Sequence, residues 1–172
     1  MTGTTRAEVA VLVAVQSALA GRPGVLRTAR AISYFGEHSL GWLAVSALGA
    51  LLAPRRRRQW LVAGAGAFAA HVAAVLIKRV VRRQRPADPA VAVNVGTPSP
   101  LSFPSAHATS TTAAAVLMAP LTGLPLPALV VPPMALSRMI AGVHFPSDVL
   151  AGVVVGAVVA KAVQKVWGVD DE

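Results

Sequence analysis

The sequence predicts an all-α fold, a polytopic membrane helical bundle of about five to six membrane helices with an additional interfacial helix. Three observations predict it. Hydrophobic residues make up 55% of the chain and charged residues 13%, the balance of a membrane protein rather than a soluble domain. The apolar residues are gathered into long runs. The clearest, residues 60–77, holds eighteen residues with no charge and only His71 as a strongly polar interruption, about the minimum for a hydrocarbon core of roughly 30 Å. Finally, the basic residues behind the net charge of +9 stand at the ends of these runs. Membrane flanks and an anionic substrate explain that placement better than nucleic acid does, so no nucleic-acid partner is expected.

At 172 residues there is room for one domain, taken as residues 1–172. The absence of cysteine removes both a disulfide framework and a thiolate metal site. The N-terminus departs from a secretory signal, because Arg6 is followed by Glu8 and the apolar run to Ala20 ends in Gly21-Arg22-Pro23.

Taken in order, residues 9–20 form a short apolar helix, too brief to span upright, which either crosses at an angle or lies in the interface. Residues 21–37 intersperse Arg22, Arg27 and Arg30 with Leu26, Ile32, Tyr34 and Phe35, as an amphipathic interfacial helix ending near Gly36 or as a solvated connector. Ser39 opens a span to Ala53, closed by Pro54 and by Arg55, Arg56, Arg57 and Arg58, an orientation and anionic-lipid signal. The span over 60–77 uses Gly64 and Gly66 for close helix approach and His71 as a packing residue. It runs into Lys78-Arg79-Val80-Val81-Arg82-Arg83-Gln84-Arg85-Pro86. There the periodicity puts Lys78 and Arg82 on one face, Arg85 a turn further and Pro86 at the helix end. Such a cluster is either a membrane flank or a phosphate site.

Residues 87–103, rich in proline and aperiodic, read as a loop. Phe103-Pro104-Ser105-Ala106-His107 opens the next span, to Leu121. With Pro104 as the first helical residue, the N–H groups of Ser105, Ala106 and His107 form an anion cradle, to which the Ser105 hydroxyl adds a donor and His107 a proton carrier. An ordinary capped helix start is the alternative. After a turn at 123–127, Pro132-Pro133 must kink or break the following segment. The last span carries Gly152 and Gly156 as a small-residue packing face, too common a pattern to imply a dimer, and the chain closes on a short acidic tail, 169–172.

Between the last two spans stands S-R-M-I-A-G-V-H-F-P-S-D, residues 137–148. Ser137, Arg138, His144 and Asp148 form one wall of an active site, since ionisable groups in membrane segments mark function by default. Residues 145–148 read as a helix start, with Asp148 holding the tautomer of His144 and aiming its other nitrogen outward. Counting crossings brings Lys78 and Arg85, Ser105 and His107, and Arg138 and His144 to one membrane face. No acidic cluster suits a hard metal there, so no metal and no cofactor is expected. Positive charge without metal points to phosphoryl transfer.

The motifs Lys78-x6-Arg85-Pro86, Pro104-Ser105-Ala106-His107 and Ser137-Arg138-x5-His144-x3-Asp148 resemble, in order and spacing, the three signatures of the type-2 phosphatidic acid phosphatase superfamily. The resemblance implies a metal-independent phosphatase in which His144 attacks phosphorus, Asp148 orients His144 and His107 protonates the leaving oxygen. Lys78, Arg85, Ser105, Ala106 and Arg138 would bind the phosphate. One departure is visible, Ala106 where the family usually has glycine, and it bears on the shape of the cradle. Arg79, Arg82 and Arg83 exceed the motif, as ligands for a second anion or for the bilayer.

Small size, Ala-rich spans and P-S-A-H-A-T-S further resemble the actinobacterial members that act on decaprenylphosphoryl-5-phosphoribose, in making the arabinose donor of the cell wall. Undecaprenyl diphosphate, phosphatidylglycerol phosphate and phosphatidic acid are the competing lipid substrates. A non-catalytic membrane protein that binds anionic lipid through the same arginines is the reading from another class. The expected partners are a lipid phosphate and membrane lipids, in the bacterial plasma membrane. Basic residues divide nearly evenly between the two faces, and the arginine block opposite the site inclines it to the extracytoplasmic side.

Overall fold

The computed structural model describes residues 3–167; the acidic tail lies outside them. Among the described residues there are seven α-helices: α1 (Gly3–Leu19), α2 (Val25–Gly36), α3 (Leu40–Leu52), α4 (Arg57–Val81), α5 (Ala106–Thr122), α6 (Leu126–Ile140) and α7 (Pro146–Trp167), with short 3₁₀ turns at Glu37–Ser39 and Pro54–Arg56. Helices α3 to α7 run alternately up and down. The turn between α3 and α4 shares one end of the bundle with the ends of α5 and α7, as Arg56 Nη1 donates to Leu121 O and the Arg58 guanidinium lies over the Trp167 ring. The arginine block is therefore at the end opposite the polar motifs.

Helix α5 is the axis. It is made of Ala, Thr and Ser, so neighbours approach closely, and its residues from Ala106 to Ala115 are buried apart from His107. On one side Trp42, Trp60, Ala63, Ala67 and Ala70 pack against Ala113, Ala114, Leu117 and Met118. Helix hydroxyls serve as glue: Trp42 Nε1 donates to Thr111 Oγ1 at 3.0 Å and Ser46 Oγ to Trp60 O at 2.6 Å. Gly152 and Gly156 of α7 lie on α5. A Cβ at 156 would stand 2.3 Å from Thr109 O, so the small-residue face is spent within the chain. The outside is the apolar side: Leu51, Leu52, Leu61, Phe68, Leu76, Leu150, Val154 and Val158 are exposed. Two helices, Pro54–Val81 and Pro146–Trp167, are long and apolar enough to cross a membrane.

Helix α1 lies across the end of the bundle. Its Glu8 accepts from Ser147 at the start of α7, while Gln16, two turns on, donates to Ala92 O and Ile140 O at the same end. Between them Leu12 packs with Val91 and Phe145. Helix α2 caps the same end, burying Ala29, Ser33 and Gly36.

Two local expectations are corrected, and the kink or break expected at Pro132-Pro133 is narrowed by the absence of a break. Helix α4 stops at Val81, because Arg82 is left-handed (φ 55°), and so neither Arg82 nor Arg85 continues the Lys78 face. Helix α5 starts at Ala106 with Ser105 as its N-cap, so the Ser105 N–H is not free for an anion and donates to Asp148 O at 2.9 Å. Helix α6 stays helical through Pro132 and Pro133 rather than breaking. Within a bundle, neighbours hold a segment whose prolines have freed two carbonyls.

Gly156→Leu is expected to force α7 off α5 and to lower stability by about 1–3 kcal/mol, read as a fall in Tm in detergent. Gly21→Ala, where an added Cβ meets nothing within 4 Å, is the control; equal melting of the two variants would refute the packing account.

Candidate active site

The site is built at helix ends. Lys78 comes from the last turn of α4, Arg138 from the last turn of α6, His107 from the first turn of α5, and Asp148 from the first turn of α7. Arg85 and His144 come from the connecting loops. Lys78, Arg85, Ala106, His107, Arg138 and His144 line one cavity of about 680 Å³. The three stretches separated in sequence thus meet. Asp148 and Ser105 do not line it: both are wholly buried, Asp148 beside His144 and Ser105 beneath the start of α5, where its hydroxyl accepts from Ala108 N. Ser137 is likewise internal, bonding Met134 O and accepting from Arg138 Nε.

His144 has an assigned direction. Arg85 Nη1 lies 3.2 Å from His144 Nε2, and a guanidinium only donates, so Nε2 carries the lone pair and Nδ1 the proton. Nδ1 faces Asp148 Oδ2 at 3.6 Å, beyond a hydrogen bond in this state and with no nearer partner. Burial pushes His144 down to about 3 despite the pull of Asp148, with Arg85 and Lys78 pushing it further down. It is therefore neutral at pH 7 and fit to be a nucleophile. His107 is fixed the other way round: Nε2 stands 3.0 Å from Ser33 O, an acceptor, so Nε2 holds the proton of the neutral ring and Nδ1 is the free base. Gly36 permits this, since a Cβ there would meet His107 Cδ2 at 2.7 Å.

The cations are held by neutral oxygens. Lys78 Nζ donates to Leu101 O and Ser102 O (3.1 and 2.7 Å), Arg85 to Ser99 O and Val143 O (2.8 and 2.7 Å), and Arg138 to the hydroxyls of Ser33 and Ser137. Backbone carbonyls orient these groups without cancelling their charge. Ala106, in ordinary helical backbone at the first position of α5, carries its Cβ without strain, so the departure from glycine costs nothing there.

Sequence reasoning missed Arg83 and Glu8. Arg83 does not face the cavity. It bridges Asp148 Oδ1 (2.8 Å) and Glu8 Oε2 (2.5 Å), with its guanidinium 4.1 Å over the Phe145 ring. Within a run of basic residues nothing in the sequence singles it out. A lone acid in an apolar helix, Glu8, was the available signal.

Two tests follow from this geometry. Because the folded-state value of His144 lies below the ordinary 6.5, unfolding takes up a proton between about 6.5 and 3. Its contribution to stability is thus complete above 6.5 and is lost as pH falls through that window. Wild-type Tm is expected to fall more steeply from pH 7 to pH 4 than that of His144→Asn, and parallel curves would contradict the assignment. Arg83→Met strands a buried carboxylate and is expected to cost about 3 kcal/mol and to lower kcat far more than it raises KM; a KM effect alone would place Arg83 on the substrate instead.

The model of the PAP2 superfamily matches residues 59–169. The chain is 69% identical over 163 residues to a decaprenylphosphoryl-5-phosphoribose phosphatase of Mycobacterium tuberculosis, covering 95% of this chain and 92% of that one. A protein of the same name from Mycolicibacterium smegmatis is 70% identical over 152 residues, 88% and 84% of the two chains. Among solved structures, the transmembrane PAP2 type phosphatidylglycerolphosphate phosphatase of Bacillus subtilis shares the fold, with a TM-score of 0.75 over 99% of this chain and 90% of that one, at 20% identity. With its motifs gathered around one cavity and its family model spanning most of the sequence, the chain belongs to the PAP2 superfamily.

Proposed function

We propose that this chain is a metal-independent membrane phosphatase that removes the 5-phosphate of decaprenylphosphoryl-5-phosphoribose through a phosphohistidine on His144. The observation that carries the chemistry is the pairing of a neutral imidazole lone pair with three cations whose charge no carboxylate in the cavity neutralises. The relatives that share 69–70% of their residues with this chain support the substrate.

The phosphate sits among Lys78, Arg85 and Arg138, with the free N–H groups of the first turn of α5, at Ala106 and His107, as further donors. Arg85 moves its donor from His144 Nε2 to a phosphate oxygen, which frees the lone pair. A substrate phosphate that arrives as its monoanion passes its proton to His107 Nδ1. Nε2 of His144 attacks phosphorus, the P–O bond to the ribose C5 oxygen breaks, and that oxygen takes this proton from His107. As positive charge develops on His144, Asp148 closes on the Nδ1–H and stabilises the imidazolium. His107, now a base through Nδ1, takes a proton from water, which attacks phosphorus and breaks the P–N bond. Asp148 has both oxygens engaged, and the cavity wall supplies no carboxylate pair for magnesium. The cations take the charge-neutralising part a metal plays elsewhere.

Phe68, Val72 and Leu76, exposed residues of α4, line the cavity, which suits a substrate whose chain stays in lipid. In this reading residues 1–172 form one phosphatase unit with α3 to α7 as five crossings, α1 and α2 lie on the catalytic face, and that face is extracytoplasmic in the bacterial plasma membrane. The arginine block at the opposite end supports the orientation.

Purified protein in detergent with chelator is expected to release phosphate from the polyprenyl phosphoribose lipid in preference to undecaprenyl diphosphate, phosphatidylglycerol phosphate and phosphatidic acid. His144→Ala is expected to abolish release, and His107→Ala to slow it about 10²–10⁴-fold. Rapid quench should trap an acid-labile phosphoprotein. No release from any lipid by the folded protein would leave an anionic-lipid binder.

A further inference from the structure

The cavity has a second polar group of residues that the chemistry leaves unused. Beyond Lys78, its wall continues to His71, His38 and Glu37. His71 lies two turns back along α4 from Lys78, about 10 Å by helix rise. It stands where the rest of that wall, Phe68, Val72, Val75 and Leu76, is apolar. Its ring stacks on Phe68 and meets His38 with centroids 5.7 Å apart, and its Nδ1 has no hydrogen-bond partner. His38 is held there by strained backbone: both His38 (φ 49°) and Ser39 (φ 63°) are left-handed, between α2 and α3. Two consecutive non-glycine residues in that region persist only where the surroundings impose them, which is characteristic of ligand clamps.

Glu37 is the telling member. It is the single carboxylate among the residues that line the cavity, and its side chain forms no ion pair or hydrogen bond with the rest of the described chain. A bare carboxylate beside a phosphate site repels the substrate's charge. A substrate that also brings hydrogen-bond donors offsets that repulsion, and sugar hydroxyls are donors that a carboxylate recognises, as with the ribose of dinucleotides. We infer that Glu37, His38 and His71 form a sugar-reading subsite that binds the hydroxyls of the ribose between the reacting phosphate and the lipid. Glu37 accepts from the hydroxyls, and the two imidazoles donate or accept as the ring requires. Selection for the sugar-bearing lipid over a plain lipid phosphate is then set on the turn between α2 and α3, at residues outside the three motifs.

This inference rests on the proposed substrate, and its test separates the two. Initial rates in detergent micelles are compared for farnesylphosphoryl-5-phosphoribose, its 2-deoxyribose analogue and farnesyl phosphate. The enzymes are the wild type, Glu37→Gln and His38→Asn, the last because asparagine tolerates left-handed backbone. Wild type is expected to favour the phosphoribose lipid. In both variants the ratio of kcat/KM for phosphoribose over farnesyl phosphate should fall about 10- to 100-fold, and Glu37→Gln should lose the penalty that wild type shows for the 2-deoxy analogue. A wild-type preference that survives both substitutions would overturn the subsite and leave the substrate standing. A wild type that turns over farnesyl phosphate as well as the phosphoribose lipid would overturn the substrate and the subsite together.

Discussion

Asp148 is wholly buried, and a carboxylate held out of water stays charged only when its lone pairs are answered. One oxygen accepts from Arg83, the other from the Phe145 N–H, and its backbone carbonyl takes the N–H of Ser105. These bonds tie the chain beyond α4, the start of α5 and the turn into α7 to one residue. Arg83 extends the tie to Glu8 on α1. The position of His144 follows, since it is carried on the loop whose end Asp148 fixes. Losing the carboxylate would undo the assembly of the site before it touched any step of the reaction.

Against that neutralised anion stand Lys78, Arg85 and Arg138, three of the four lysines and arginines that line the cavity. Carbonyl and hydroxyl oxygens fix their direction while leaving their charge largely intact. Burial and mutual repulsion make this arrangement costly without a ligand, and an entering phosphate relieves the cost. The same crowding keeps His144 neutral. A more ordinary pairing of each cation with a carboxylate would give a steadier protein with a weaker hold on phosphate.

The legible part of the sequence was the part written in residue type. Long apolar runs marked the helices, and Lys, Arg, His and Asp at run ends marked the site, because such groups are too costly in lipid to be incidental. What stayed hidden depended on backbone turns that carry no special residue. Nothing in Val81-Arg82-Arg83 announces that Arg82 turns left-handed; helical periodicity continues to Pro86, and the early stop is held by tertiary bonds, from Arg83 to Asp148 and Glu8 and between the backbone of residues 83–85 and 100–102. Ser105 was placed correctly at a helix start. Its side chain serves the helix rather than the cavity, a distinction of one position that hydroxyl chemistry alone cannot make. Residues 9–20 were ambiguous between crossing and lying flat, and the sequence gives no sign of the bonds by which Glu8 and Gln16 tie them to Ser147 and Ile140.

The arrangement also obeys a constraint of the medium. Alanine, serine and threonine along the buried α5, with many large apolar residues outside, mean that the helices depend heavily on close fit in a medium as apolar as their side chains. Such a bundle has no interior site where charge is cheap. Its helix ends are different, because free N–H and C=O groups gather there and the helix dipoles favour cations at C-termini and anions at N-termini. Lys78 and Arg138 lie in the last turns of α4 and α6, while Asp148 and Ala106 lie in the first turns of α7 and α5. An up-and-down order puts those two C-termini and two N-termini side by side. The chemistry therefore sits at the one level of this fold where both signs of charge are stabilised at once.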